Sequence, residues 1–358
     1  MKEILRIYHI NQKEGPPINQ FLRQGRPLFK PDISSGDLSS AIFDLLSNKT
    51  IRRGPTDYIY SESENYTKKI DFFVKENRPV EFVFQGFPFK CHNPMETCRQ
   101  TPDLGELAFL TRLLDINATV KQIYQPGVSF TILAEGHAYS HLFGASSNEV
   151  DIFDKGLKHF VSLLNANDVI SFVDFNERLK VSNDFDYIYK DQEQKLKAEK
   201  NPETQKEVER FIPVMMRSAT MIEGIALDDL AAIYNGDELS LNQKELNSQL
   251  LDEARELAIR YTAFKKAQGL VAVIPESFPE KLYISVISRP GRYGFHPIHR
   301  KTRYLPHHGV PVLESDKVDI VFFQEIIKNP ASYTAVFCPN DSEEAPFYFI
   351  KEQRHKKC

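Results

Sequence analysis

The stretch Val128–Phe175, VSFTILAEGHAYSHLFGASSNEVDIFDKGLKHFVSLLNANDVISFVDF, decides the fold. Its two ends, VSFTIL and VISFVDF, are short apolar runs rich in β-branched and aromatic residues, the signature of strands. Between them Asp154–Leu164 carries helical spacing. Two strands separated by a helix of this length form a βαβ unit, whose strands run parallel. The nearly continuous apolar character of VISFVDF suits a strand covered on both faces.

The alternation extends in both directions. Upstream, Asn65–Glu76 is amphipathic, with Ile70, Phe73 and Val74 on one side. Pro79 ends it, and Val80–Phe84 reads as a strand. Asp103–Gln125 reads as a long helix with an acid in its first turn and Pro126 closing it. Downstream, 11 of the 20 residues of Asp191–Arg210 are charged and only Leu196, Ala198 and Val208 are clearly apolar, which describes a solvated helix face or connector. Helical spacing resumes over Phe211–Glu223 and dominates Asn242–Ala267, where Leu250, Leu251, Ala254, Leu257, Ala258 and Tyr261 recur. Leu282–Ile287 then brings a strand back to the sheet, and weaker strands follow at Val310–Leu313, Ile320–Phe323 and Tyr333–Phe337. Residues 1–60, punctuated by Gly15-Pro16-Pro17, Pro27, Pro31, Gly36 and Gly54-Pro55, read as an arm with one short helix near Ser40–Leu46. The expected fold is α/β: a Rossmann-like, mostly parallel sheet flanked by helices, with a helical insertion over 191–268. The expected divisions are an arm at 1–60, the main domain at 61–322 and an extension at 323–358.

Composition bounds the function. The 358 residues are 41% hydrophobic and 26% charged, which excludes general disorder. No run approaches the roughly 20 uncharged apolar residues that span a bilayer. The opening MKEILRIYHINQKEG is interrupted by Glu3, Arg6 and Lys13, unlike a signal peptide. Cys91, Cys98, Cys338 and Cys358 match no zinc spacing and fit reduced thiols in a cytoplasm. The net charge of −4 argues against a nucleic-acid partner. The expectation is a soluble cytoplasmic protein, bound to neither membrane nor nucleic acid.

Against that acidic balance, no acid occurs between Glu280 and Glu314, an interval holding Lys281, Arg289, Arg292, Arg300, Lys301 and Arg303 with His296, His299, His307 and His308. Arginine forks suit phosphate and carboxylate oxygens, and histidines supply acid–base groups near neutrality. The alternative is a basic surface loop paired with acids elsewhere. Two further loops follow strands, where α/β folds bind ligands. One is Gly86-Phe-Pro-Phe-Lys90-Cys-His-Asn-Pro94. The other is Ala134-Glu135-Gly136-His137-Ala-Tyr139-Ser140-His141. His137 and His141 stand four apart with Glu135 nearby, a conceivable metal pair, but the spacing matches no recognised motif and hydrogen-bonded structure is the better reading. Asp103 and Glu106 open the long helix, where the macrodipole favours acids without any catalytic role. Neither GxGxxG after the first strand nor GxxxxGK[ST] is present, so nothing argues for a dinucleotide or ATP site.

In order, GFPFKCHNP, PDLGE, ILAEGHAYSHLFG, RYGFHP and YLPHHGV resemble the blocks of the isocyanide (isonitrile) synthase family, also called the pyoverdine/dityrosine biosynthesis family, over about residues 60–320. The chain departs from the family pattern at Cys91-His92, where a Ser-Pro type pair is common. It also has Glu135 for the common Asp and His307 for the Trp before His-Gly. The resemblance implies a Rossmann-like enzyme using neither metal nor nucleotide cofactor. Such an enzyme joins the α-amine of tyrosine or tryptophan to the carbonyl carbon of ribulose 5-phosphate. Imine formation, proton removal and sugar fragmentation then leave an N≡C group. On that reading Lys90 and Arg292 bind phosphate or carboxylate, and His296 and His308 move protons. Glu135 and His137 orient the amine or a sugar hydroxyl. Phe87, Phe89 and Tyr139 line the substrate, and Asp103 and Glu106 bind its ammonium group or merely cap the helix. A downstream non-haem iron oxygenase would take the product. The rivals are formation of an N-formyl aromatic amino acid, a metal-dependent hydrolase using the histidines, and a binding module that has lost its chemistry.

Overall fold

Two sheets, not one, organise the chain. In the computed structural model, which describes residues 1–31, 36–55, 63–181, 184–198, 202–218, 229, 232–233, 238–287, 292–339, 341 and 343–352, the elements run as follows. Lys2–Ile7 (α1), Asn11–Glu14 (β1), Leu38–Leu46 (α2) and Arg52–Arg53 (β2) precede Ser63–Lys75 (α3) and Val80–Gly86 (β3). Leu104–Val120 (α4), Val128–Ala134 (β4), Gly136–Phe143 (α5), Ser147–Leu163 (α6) and Ile170–Asp174 (β5) follow. Then come Phe175–Val181 (α7), Phe185–Ala198 (α8), Pro202–Glu209 (α9), Ile212–Ser218 (α10) and Leu241–Leu270 (α11). The remaining strands are Leu282–Ser285 (β6), Tyr293–Phe295 (β7), Val310–Glu314 (β8), Lys317–Val321 (β9), Tyr333–Phe337 (β10) and Tyr348–Lys351 (β11).

The first sheet has the order β2-β7-β6-β3-β4-β5, parallel throughout except for β2. This is the expected Rossmann-like sheet. Val80 pairs with Val128 and Phe130 with Ile170, so three apolar runs lie side by side in register. The chain builds β3, β4 and β5 outward in one direction, then returns to place β6 on the other side of β3. Such a reversal of strand order opens a crevice beyond the carboxyl ends of the strands, where α/β sheets bind ligands.

The second sheet, β1-β10-β11-β8-β9, is mixed and was not anticipated. The weak strands at 310, 320 and 333 belong to it rather than to the first sheet. Its β8–β9 hairpin turns at Ser315 and Asp316, both at positive φ (47° and 66°), the geometry of a type I′ turn matching the strand twist. The N-terminal stretch contributes an edge strand to each sheet through β1 and β2.

Helix α4 packs against β4 of one sheet and against β8 and β9 of the other. That placement explains why its residues are buried on nearly every face. Its polar positions are consumed by loops: Asp115 accepts from Arg23 Nη1 at 2.6 Å and from the Arg26 amide at 2.8 Å, and Asn117 Oδ1 accepts from the Val128 amide at 2.9 Å. Helices α8–α11 form a separate apolar cluster that includes Leu196, Val208, Met215, Leu250 and Leu257. The charged stretch at 191–210 is therefore two helices anchored by the apolar side chains that interrupt it. No helix among the described residues is long and apolar enough to cross a membrane.

Candidate active site

A cavity of about 290 Å³ opens at the switch point. Three strand ends build it: Gln85 and Gly86 from β3, Glu135 beyond β4, and Tyr283–Ser285 of β6. At the end of β3, Phe87 takes a left-handed φ of 54°, a conformation costing about 1–2 kcal/mol for a residue with a side chain. Its buried ring packs edge-on against Phe109, with centroids 4.7 Å apart, and holds the turn. That turn sends Pro88 and Phe89 over the cavity. Gly136 is required opposite: a Cβ there would lie 2.5 Å from the Pro88 carbonyl oxygen and 2.4 Å from Val150 Cγ1.

One wall is aromatic. Phe89, Tyr139, Phe143, Phe211 and Tyr261 line it, and the Tyr139 ring lies 5.9 Å from Tyr261 and 6.5 Å from Phe143. Burial drives the Tyr139 hydroxyl well above its ordinary pKa, so it stays protonated. Two polar poles flank this wall. At the first, Lys265 Nζ is 3.5 Å from Glu135 Oε1 and 4.9 Å from the Tyr139 ring centroid. At the second, the Arg292 guanidinium stacks 4.2 Å from the Tyr283 ring centroid and donates from Nη1 to Tyr283 Oη at 3.1 Å. A hydrogen-bonded chain joins the poles: Tyr283 Oη donates to Gln85 Oε1 (2.9 Å), Gln85 Nε2 to Gln268 Oε1 (3.3 Å), and Gln268 Nε2 to Tyr139 Oη (3.2 Å). Such a chain fixes each amide's orientation by its neighbour.

Of the residues singled out in the sequence, Phe89, Glu135, Tyr139, Arg292, His307 and His308 line this cavity. Others do not. Lys90 is fully buried, and its Nζ is surrounded by Asp103 Oδ2 at 2.8 Å, Glu106 Oε2 at 2.9 Å and the Pro306 carbonyl at 2.9 Å. An ammonium has three donors, and these are its three partners, so Lys90 has none left for a phosphate. Asp103 and Glu106 are likewise removed from any substrate ammonium. Asp103 Oδ1 accepts from the Gly105 amide at 2.8 Å and Glu106 Oε2 from the Asp103 amide at 3.0 Å, a capping box at the start of α4. Burial raises the Asp103 carboxyl to about 8 despite the lysine. Burial alone would lower Lys90, but the two carboxylates outweigh it and raise its pKa. Phe87 is a core residue rather than a wall of the cavity.

The histidines separate in the same way. His296 donates its amide to Ile51, is 9% exposed and does not line the cavity. Burial and the nearby Arg53, Arg112 and Arg300 push it down to about 4, which makes it neutral at physiological pH. His137 Nε2 lies 3.1 Å from Asp151 Oδ1 and does not line the cavity, while the His141 carbonyl accepts from Arg260; neither forms a metal pair with Glu135. His307 is buried and held well below its ordinary pKa by burial, His308 and Lys90. His308, more open, has Nδ1 3.4 Å from Glu96 Oε2. Among the described residues, the group able to hold a cation is Cys91, Glu96 and His308. Arg289 lies outside the described residues.

Sequence reasoning missed Lys265, Tyr261 and Gln268 of α11. A signal existed. The stripe Leu250, Ala254, Leu257, Tyr261 continues at helical spacing into Lys265 and Gln268, polar residues on a face that is otherwise apolar.

A profile of the family described as pyoverdine/dityrosine biosynthesis protein matches residues 70–331. An L-tryptophan isonitrile synthase of Fischerella ambigua is 22% identical over 251 residues, covering 68% of this chain and 73% of that protein. An L-tyrosine isonitrile synthase of Pseudomonas aeruginosa is 21% identical over 278 residues, covering 73% of this chain and 77% of that protein. The crystal structure of the PvcA protein from Pseudomonas aeruginosa superposes with a TM-score of 0.68 at 17% identity, over 88% of this chain and all of that one, which supports the same fold.

Proposed function

The chain belongs to the pyoverdine/dityrosine biosynthesis protein family, and from that premise we propose that it is an isonitrile synthase, converting the α-amine of tyrosine or tryptophan to an isocyanide with ribulose 5-phosphate as carbon donor. The observation that carries the reading is the cavity itself: an aromatic wall between a carboxylate–ammonium pair and a stacked arginine, at the switch point of the sheet.

The roles follow from charge and shape. The amino acid lays its ring against Phe89, Tyr139 and Tyr261, its ammonium toward Glu135 and its carboxylate toward Lys265. Arg292, planar and pre-stacked on Tyr283, takes the sugar phosphate through its fork. Attack on the sugar carbonyl needs a neutral amine, and imine formation and the eliminations need protons moved in both directions. His308, at the cavity and oriented by Glu96, is the group placed to carry them. Glu135 is the second, next to the amine. The reading needs no nucleotide and no metal. The product keeps its carboxylate, which suits it to a decarboxylating or desaturating non-haem iron oxygenase as the next enzyme.

The test is mass spectrometry of EDTA-treated protein incubated with ribulose 5-phosphate and either amino acid, quenched at neutral pH. The expected product differs from its amino acid by one carbon gained and two hydrogens lost. A gain of one carbon and one oxygen instead would mean the N-formyl product. No new mass with either amino acid would refute the assignment.

A further inference from the structure

We propose that Cys91, Glu96 and His308 form a binding site for a thiophilic divalent cation of the zinc class, and that its occupancy inhibits the enzyme. One potential ligand atom from each of the three lies within 4.8 Å of the other two. Thiolate, carboxylate and imidazole on one tetrahedral zinc lie roughly 3.3–3.8 Å apart, given bonds of about 2.0–2.3 Å. The Glu96 Oε2–His308 Nδ1 separation of 3.4 Å already falls in that range. The Cys91 Sγ lies within 4.8 Å of both, so closing the set needs a shift of about 1 Å at most.

Glu96 points independently to a cation. It is 2% exposed, and its buried Oε2 makes no hydrogen bond among the described residues, His308 Nδ1 standing 3.4 Å away. Burying a carboxylate oxygen unsatisfied is costly, and a cation would satisfy it. Its other oxygen, Oε1, is 3.2 Å from Arg217 Nε, which leaves Oε2 to act as a single ligand. A thiolate and a carboxylate together neutralise a divalent ion, so the loaded site would bury no net charge. The scaffold is preorganised: the Cys91 amide donates to the His307 carbonyl (2.9 Å), Thr97 Oγ1 to the Cys91 carbonyl (2.6 Å), and the Glu96 amide to the Asn93 carbonyl (2.9 Å). Such outer contacts hold ligands in place. The fourth coordination position faces the cavity, because Cys91 and His308 both line it.

A cation on His308 Nδ1 would hold the ring as a neutral ligand with its proton on Nε2, so His308 could take up no further proton in the proposed reaction. Inhibition therefore rests on the reaction proposed above, while binding does not. The experiment has two arms. Reduced, EDTA-stripped protein is titrated with cobalt(II) alone and followed by absorption. The expected result is one equivalent bound, with thiolate-to-cobalt charge transfer that zinc displaces. Cys91→Ser should abolish that band, and Glu96→Gln should weaken binding at least tenfold. If Cys91→Ser folds poorly, Cys91→Ala serves, with circular dichroism confirming the fold. A spectrum that persists without Cys91, or no spectrum at all, overturns the site. In the second arm, turnover is measured with and without one equivalent of zinc in the wild type and in Cys91→Ser. Loss of turnover in the first and not in the second is expected; equal rates with and without zinc in the wild type would overturn the inhibition. Absence of product even in metal-free protein would sink the reaction assignment and leave the cobalt result standing.

Discussion

Lys90→Met separates two accounts of the most distinctive residue in the first loop. If Lys90 is the centre of a buried ion cluster, its removal leaves Asp103 and Glu106, 1% and 0% exposed, as unpaired carboxyls beside each other. Removing one partner of a buried ion pair costs about 3–5 kcal/mol. The orphaned Pro306 carbonyl adds about 1 kcal/mol. With unfolding entropy of about 2.1 cal/mol/K per residue, a loss near 5 kcal/mol lowers Tm by on the order of 7 °C in a chain of 358 residues. The loss depends on pH. Asp103, already raised to about 8 with the lysine in place, rises further without it. A carboxyl whose folded pKa exceeds its unfolded value contributes stability that is present at low pH and disappears as pH rises through the folded pKa. Lys90→Met should therefore fall further below the wild type as pH rises from about 7 to about 9, with a smaller, constant gap below that range. Calorimetry across that range is the assay. The triple variant Lys90→Met/Asp103→Asn/Glu106→Gln removes every charge, keeps an N-cap residue and should recover most of the loss. Unchanged stability in Lys90→Met with a selectively raised KM for the sugar phosphate would refute the cluster and return Lys90 to the substrate.

Three further predictions follow from the same geometry. His296→Gln should flatten the acid limb of stability: the buried ring, pushed down to about 4 from 6.5, contributes stability above its unfolded pKa that is lost as pH falls toward 4, and urea midpoints against pH would register the missing slope. Arg292→Ala should raise the KM for ribulose 5-phosphate by about ten- to a hundredfold with little change for the amino acid, and Lys265→Met should do the reverse, because a hydrogen bond to a charged group contributes about 1.5–3 kcal/mol; equal effects on both substrates would refute the two poles. Gly136→Ala should cost about 1–3 kcal/mol and displace the Pro88 loop, lowering activity, whereas Gly269→Ala, where a new Cβ meets open space near the end of α11, should leave activity intact and not destabilise; identical behaviour of the two in melting and turnover would count against the close approach.

What the sequence reveals depends on how local the cause is. Strands β3, β4 and β5 and helix α4 are announced by their own apolar periodicity, but the switch point depends on β6 pairing with β3, which the fold alone shows. The second sheet is not announced, because its pairings are made between distant segments. Strand β1, Asn-Gln-Lys-Glu, is exposed at every position and has no apolar signal; it exists because its backbone pairs in parallel with Tyr333–Phe337. The site divides in the same manner. Residues immediately beyond strand ends, such as Phe89 and Glu135, fall at the cavity by topology alone. Lys90 occupies an equivalent sequence position, yet its side chain is taken by two acids at the start of α4, a pairing that only the tertiary fold reveals. Lys265 is the converse, a residue inside a helix read as packing, delivered to the cavity by the helix's own stripe.

The cluster around Lys90 does not line the cavity, yet it bears on the proposed chemistry. Its Nζ binds the Pro306 carbonyl, and the next residue's amide binds the His307 carbonyl, so two successive bonds fasten the loop after β3 to the turn carrying His308. That turn packs against β8 and against α4, whose first turn holds the same lysine through Asp103 and Glu106. The position of His308, the proposed proton carrier, thus depends on a buried ion cluster that does not line the cavity. Misplacing a catalytic group by about 1 Å can cost on the order of a hundredfold in rate. A folded Lys90→Met protein, assayed below its melting range, should therefore lose kcat while both KM values stay near the wild type. Arg292→Ala gives the opposite split. Were Lys90→Met to keep its full kcat, the turn would be held in place by something other than this cluster, and the link from buried charge to His308 would fail.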